Sequence, residues 1–254
     1  MNQYKTTKEF ILVIHDITQL RQLNSMRRDF ISNVSHELRT PVSVIRANSE
    51  TLLESALEDK KQSKVFAKAI LHNSERLTEM VTDLLDLSRI EHGELKLHIE
   101  KLNLQECIDQ SIDSLKNLGK KKNVVIKCNC PNKTQYVFAD KKALERILTN
   151  LIDNAFKYSE ENSVINIATK TKHKDDNVLI SITDTGKGIS DKDKSVIFDR
   201  FFRTAEARAS EKKGSGLGLA IVKNLVNSLN GDVGVKNAPN NKGSQFWLTL
   251  PVAR

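Results

Sequence analysis

Apolar residues recur mostly three or four positions apart from Thr18 to about Glu58, as Leu20, Leu23, Phe30, Val34, Leu38, Val42, Ile45 and Leu52. That spacing puts them on one stripe of a long helix. A polar break at Glu58–Ser63 follows, then a second stripe through Phe66, Ile70, Leu77, Met80 or Val81, Leu84 and Leu87. The two stripes predict a hairpin of long helices. A lone hairpin leaves its stripe in water, and pairing with a second copy into a four-helix bundle covers it. A homodimer is therefore expected.

The texture changes near residue 93. Beyond Gly93, β-rich runs at Leu95–Leu102, Val124–Cys128, Val164–Thr169 and Val178–Thr183 alternate with helical patterns. The helical patterns cover Leu104–Leu118, Lys141–Tyr158 and Leu217–Leu229, and Gly243–Leu250 reads as a closing strand. The expected fold class is α+β, a helical hairpin forming a dimeric bundle followed by an α/β domain. Glu9–Asp16 reads as one strand without a partner, the tail of a domain lying upstream. The predicted divisions are residues 1–17, 18–92 and 93–254.

Composition narrows the classes. At 254 residues, 39% hydrophobic and 28% charged, with 4 Pro and 10 Gly, the chain has a globular profile rather than a disordered or low-complexity one. Its longest wholly apolar run, Phe10–Ile14, is far shorter than the roughly 20 residues of a membrane span. The formal charge of +8 raises the question of nucleic acid, but acids interleave with the bases and aromatics are only 5%, leaving few stacking platforms. No nucleic-acid partner is expected. Cys128 and Cys130 have no second pair to complete a zinc site, so with Cys107 they read as idle thiols of a reducing cytoplasm.

Candidate chemistry is concentrated in a few segments. Five of the ten glycines fall in Asp184-Thr-Gly186-Lys-Gly188-Ile189 and Gly214-Ser-Gly216-Leu217-Gly218-Leu219. Glycine-rich loops ahead of a helix can wrap backbone N–H groups around phosphate oxygens, although tight turns use glycine too. On the helix Lys141–Tyr158, Asn150, Asn154 and Lys157 are four and three residues apart and share a face. Two amide oxygens beside an ammonium suit Mg²⁺ carrying a nucleotide. A solvated polar face opposite Leu148, Leu151, Ile152 and Ala155 has the same spacing, and the local pattern leaves both open. In the hairpin, Ser35-His36-Glu37-Leu-Arg-Thr40-Pro41 stands out. A helical histidine is usually a solvated surface residue. Here Glu37 can orient or take an imidazole proton, Thr40 adds a hydroxyl one turn on, and Pro41 should bend the helix.

These residues resemble the transmitter region of bacterial sensor histidine kinases of two-component signalling, over about residues 18 to 254. Phe30 to Pro41 is similar to the H box, Asn150 to Tyr158 to the N box, and Asp184 to Ile189 to the G1 box. Phe198-Asp-Arg200-Phe201-Phe202-Arg203 resembles the F box and Gly214 to Leu219 the G2 box, so five motifs stand in the family's order. The resemblance implies a dimerisation and phosphotransfer hairpin followed by an ATP-binding α/β sandwich of the gyrase and Hsp90 kind. It implies His36 as phosphoacceptor, Glu37 as general base, and Asn154 with Asn150 as Mg²⁺ ligands. Lys157 would meet phosphate, Tyr158 would line the nucleotide pocket, and Asp184 would accept from the adenine amino group. Gly186 and Gly188 would shape that pocket, Arg200 and Leu217 would belong to the nucleotide site, and Gly214, Gly216 and Gly218 would hinge a lid over Arg203–Lys213. Thr40 would serve dephosphorylation of a partner response regulator. Phe10–Thr18 looks like the closing strand of a PAS sensor domain, so the chain is expected in the cytoplasm, with any membrane anchor upstream. The competing readings are a nucleotide-binding scaffold, a phosphatase-dominant transmitter, and a gyrase-like ATPase that leaves the His36 segment without a purpose.

Overall fold

The computed structural model describes residues 15–56, 59–131, 135–172, 176–209, 214–239 and 242–253. Most of the predicted strand Glu9–Asp16 lies outside the described residues.

Helix α1 (Thr18–Thr51) starts with the Thr18 N–H donating to Asp16 Oδ1 at 2.8 Å, and it runs without a break through Pro41. A π-helical turn, Leu52–Ala56, prolongs it. Helix α2 (Lys60–Glu91) is capped by Asp59, which accepts from the N–H groups of Lys61 and Gln62. Such a cap offsets part of the unmet hydrogen bonding of a first turn. It also corrects the expected break at Glu58–Ser63, because Lys60 to Ser63 are already helical. The two helices pack on each other, with Asn73, Met80, Asp83 and Leu87 of α2 buried at near-heptad spacing. Ile31, Val42, Leu53, Val65, Leu71, Val81 and Leu85 remain exposed.

After Gly93 the chain forms β1 (Glu100–Asn103), α3 (Leu104–Lys122), β2 (Val125–Asn129), β3 (Tyr136–Ala139) and α4 (Lys141–Tyr158). It continues with β4 (Val164–Lys172), β5 (Asn177–Thr183), the short α5 (Asp191–Lys194) and α6 (Ala205–Ala209), α7 (Gly218–Ser228), β6 (Val233–Asn237) and β7 (Ser244–Pro251). Five strands make one sheet in the order β2-β4-β5-β7-β6, parallel only between β2 and β4, while β1 and β3 form a separate antiparallel pair. In β5 the alternation is strict, with Val178, Ile180 and Ile182 buried. They join Leu144, Ile147, Leu148, Leu151 and Ile152 of α4, Ile165 and Ile167 of β4, and Leu248 and Leu250 of β7 in one core. The expected helical hairpin and helix-on-sheet α/β domain are both present. The strand expected over Leu95–Leu102 is confined to Glu100–Asn103. Leu95 and Leu97 instead pack against the core as irregular chain, where the His98 N–H donates to Asp140 Oδ2.

The α/β domain docks on the hairpin through packing of α7 on α2, with Leu87 of α2 in the common core, and through the following side-chain contacts. Arg146 of α4 pairs with Asp83 of α2. Arg200 pairs with Glu91 at the end of α2 while lying over the Phe30 ring of α1. Phe201 stacks on Phe30, tilted, with ring centroids 5.7 Å apart. Burial raises the Asp83 carboxyl above its ordinary range, against the opposing pull of Arg146.

Candidate functional site

His36 is exposed on α1, where it can meet a second reactant. It lines a cavity of about 240 Å³ with Asn33 and Glu37 of α1 and with Phe201 and Arg203 of the α/β domain. Histidine, carboxylate and guanidinium thus converge across the two units. Glu37 is held from α2 by Arg76, Nη2 to Oε2 at 3.5 Å, and both side chains are largely shielded. Thr40 Oγ1 donates to the His36 carbonyl at 3.4 Å. Pro41, having no N–H, leaves the Glu37 carbonyl without its usual helical donor.

On the α/β domain, Asp184 follows β5 and is buried, at 4% exposure. Its Oδ1 accepts from the N–H groups of Gly186 at 2.8 Å and Ser244 at 3.1 Å, which fixes the carboxylate in the wall formed by β5 and β7. A Cβ on Gly186 would come within 2.5 Å of the Tyr158 carbonyl oxygen, so this turn and the end of α4 touch backbone to backbone. Gly188 is beside them in the left-handed region. Tyr158 itself is exposed at the rim, and Lys157 pairs with Asp153 at 2.5 Å, one turn back along α4.

Asn150 and Asn154 are half-buried on the same helix. Asn150 Oδ1 lies 3.3 Å from where a Gly218 Cβ would sit, which brings the N-box face against the start of α7. Asn150 Nδ2 is buried without a hydrogen-bond partner, as are Ser159 Oγ and Thr185 Oγ1. Orphaned buried polar atoms are uncommon in native folds. Here all three adjoin the glycine turns, as expected of a site shaped for a polar ligand. Among the described residues no cluster of three His, Cys, Asp or Glu could hold a metal. A cation here would rest on amide oxygens and on the ligand's own oxygens, a donor set that fits Mg²⁺.

Phe201 has φ 59°, a left-handed conformation uncommon for a bulky residue. Its N–H donates to the Gly216 carbonyl at 2.9 Å, and Gly216, itself at φ +72°, approaches so closely that a Cβ would lie 2.8 Å from the Phe201 backbone. The two ends of the segment from Phe202 to Ser215 are thereby pinned together, with residues 210–213 outside the described part. Gly214, by contrast, has open space where a side chain would go. Leu217 is wholly buried, with its N–H on Ser215 Oγ and its carbonyl accepting from Ile221. It anchors α7 in the core. Arg200 is likewise engaged with Glu91 and Phe30 of the hairpin.

Sequence reasoning gave no site role to Asn33, Gly243 or Ser244, and placed Arg203 only in the F box and at the start of the lid. A Cβ on Gly243 would meet the Asp184 carbonyl oxygen at 2.0 Å. The signal for that pair is register: Thr183 pairs with Gln245, which sets Ser244 beside Asp184. The place of Arg203 beside His36 has no such signal, because it depends on how the two units dock.

Comparison with known proteins matches these units to described domains. Residues 26–93 match the His Kinase A (phospho-acceptor) domain, and residues 139–254 match the histidine kinase-, DNA gyrase B- and HSP90-like ATPase. The sensor histidine kinase WalK of Bacillus subtilis is 34% identical over 241 residues, 95% of this chain but 39% of WalK. The crystal structure of full-length ShkA in complex with AMPPNP is similar at 25% identity and a TM-score of 0.66, over 89% of this chain and 46% of that one. The structure of the histidine kinase ThkA with the response regulator TrrA shares the fold, with a TM-score of 0.71 at 23% identity, over 94% of this chain and 65% of that one. A phospho-acceptor hairpin followed by an ATPase-type sheet domain is the arrangement of one family, and the chain belongs to the sensor histidine kinases of two-component signalling.

Proposed function

We propose that the chain transfers the γ-phosphoryl group of ATP to His36 and passes it on to an aspartate of a cognate response regulator. The observation that carries this is the shared cavity: His36 and Glu37 from the hairpin face Phe201 and Arg203 from the nucleotide-type domain. In the transfer an imidazole nitrogen of His36 attacks the γ-phosphorus, the bond to the ADP oxygen breaks, and the imidazole proton passes to Glu37. Arg76 orients Glu37 from α2. Arg203 supplies positive charge beside the phosphoryl group as it crosses. Residues 18–92 act as the dimerisation and phosphotransfer unit and residues 93–254 as the catalytic unit.

Asp184, pinned by two backbone donors, receives the adenine amino group, with Gly186, Gly188 and Tyr158 around it. Asn154 and Asn150 hold Mg²⁺, which when bound neutralises charge on the phosphates. Lys157 exchanges Asp153 for phosphate. Gly216 and Gly218 set the loop that hinges over the nucleotide, and ADP leaves by the same route. Thr40, exposed beside His36, supports a second activity, removal of phosphate from the response regulator. Among the described residues no helix is long and apolar enough to cross a membrane.

Arg203→Ala tests the shared cavity. Label transfer from ATP to His36 should fall about tenfold or more with little change in ADP affinity. Transfer at the wild-type rate would contradict the reading.

A further inference from the structure

The last turn of α4 carries Tyr158 to the proposed adenine pocket, and α3 holds that turn in place. Lys122 sends its ammonium group to the carbonyl oxygens of Phe156 and Lys157, at 2.8 and 2.9 Å. These carbonyls belong to the set that a helix C-terminus leaves without intrahelical donors, and a cation there also meets the negative end of the helix dipole. The Lys122 carbonyl accepts from the Asn162 N–H at 3.1 Å, on the far side of the turn between α4 and β4. Asn123, at φ 53°, adds a bond from its Nδ2 to Asn162 Oδ1 at 2.7 Å. Residues 122 and 123 therefore grip both ends of the segment 157–162.

The grip sits one peptide from the pocket. The Tyr158 carbonyl oxygen is the atom that a Gly186 Cβ would strike at 2.5 Å, so a shift of this turn moves the wall beside Asp184. The two helices also approach closely here, since a Cβ on Gly119 would lie 2.9 Å from the Phe156 ring. We propose that Lys122 is a positioning residue for nucleotide binding: by clamping the last carbonyls of α4 it fixes the Tyr158–Gly186 contact that forms the base end of the pocket. The proposal rests on the adenine reading of that pocket.

The test is equilibrium binding of ADP and ATP, each with Mg²⁺, to the full chain and to K122M, K122R and N123G. A thermal melt of each variant sets a binding temperature below its transition. K122M should bind ADP about fivefold or more weakly, and ATP by the same factor, because the change lies at the base end and not among the phosphates. K122R should recover affinity to within about twofold, since a guanidinium can donate to the same carbonyls. N123G keeps the left-handed backbone, loses the Asn162 bond, and should weaken both nucleotides by a smaller factor; it keeps the proposal testable if K122M does not fold. A lower melting temperature for K122M with unchanged affinity would overturn the proposal, leaving Lys122 a support of the fold alone. Wild-type chain that binds neither nucleotide would overturn the adenine reading itself, and the proposal with it.

Discussion

On the proposed function, Thr40 puts a second activity on the helical turn that carries His36. Its hydroxyl meets the His36 carbonyl at 3.4 Å, a long and weak bond that is readily given up to another acceptor. Thr40→Ala should therefore leave phosphorylation of His36 near the wild-type rate. It should slow dephosphorylation of the cognate regulator about tenfold or more, the range of a lost positioning group. Both rates can be followed with labelled phosphate, and equal loss of the two would make Thr40 a support of the helix. At this scale the sequence marks candidate residues where the pattern is local. His36 stood out through Glu37, Thr40 and Pro41, and Asp184 through the glycines after it. It was unreadable where the role depends on docking. Arg200 and Arg203 are three residues apart, yet one faces Glu91 and Phe30 and the other lines the His36 cavity. The glycines were also unequal: Gly216 is constrained by Phe201, whereas Gly214 has open space.

Among the elements, α4 matters most to the site, because it carries both asparagines and ends at Tyr158. Its start depends on Asp140, whose Oδ1 accepts from the Ala143 N–H at 2.9 Å and whose Oδ2 accepts from His98. Burial works against the charged form, but the backbone donors of Ala143, His98 and Lys142 outweigh it and lower the carboxyl pKa from its ordinary value. A carboxyl lowered by folding stabilises the fold above its unfolded pKa of about 3.9, and that contribution fades as pH falls through the folded value. Asp140→Ala should thus cost about 1 kcal/mol at neutral pH, the usual loss for such a cap. The difference from wild type should shrink below about pH 4 in denaturant titrations; a difference constant with pH would contradict the capping role. Long periodic segments such as α2 and α4 were legible because each buries a continuous stripe. The strands β3 and β6, of 4 and 5 residues, were missed because so few positions give little alternation to detect. In β6, Gly234 interrupts the pattern, and the reason is tertiary: a Cβ there would lie 2.5 Å from the Trp247 ring.

The whole molecule is two units tied by the packing of α2 on α7, by the ion pairs Arg146–Asp83 and Arg200–Glu91, and by the Phe30–Phe201 stack. All engage the hairpin, so the position of the nucleotide domain is referred to helices whose remaining apolar face is exposed. Leu53, Val65 and Leu71 are each more than half exposed, a face that pairing with a second hairpin would cover. Light scattering at micromolar concentration should give twice the chain mass of 28.7 kDa without nucleotide, and a monomer would contradict the four-helix bundle. The central claim, phosphoryl transfer onto His36, is tested most directly by incubating the chain and its His36→Gln variant with γ-labelled ATP and Mg²⁺. The account predicts label on the wild type that is lost in acid, survives base and is absent from the variant. Label that persists in His36→Gln, or a wild type that binds nucleotide yet takes up no label, would contradict it.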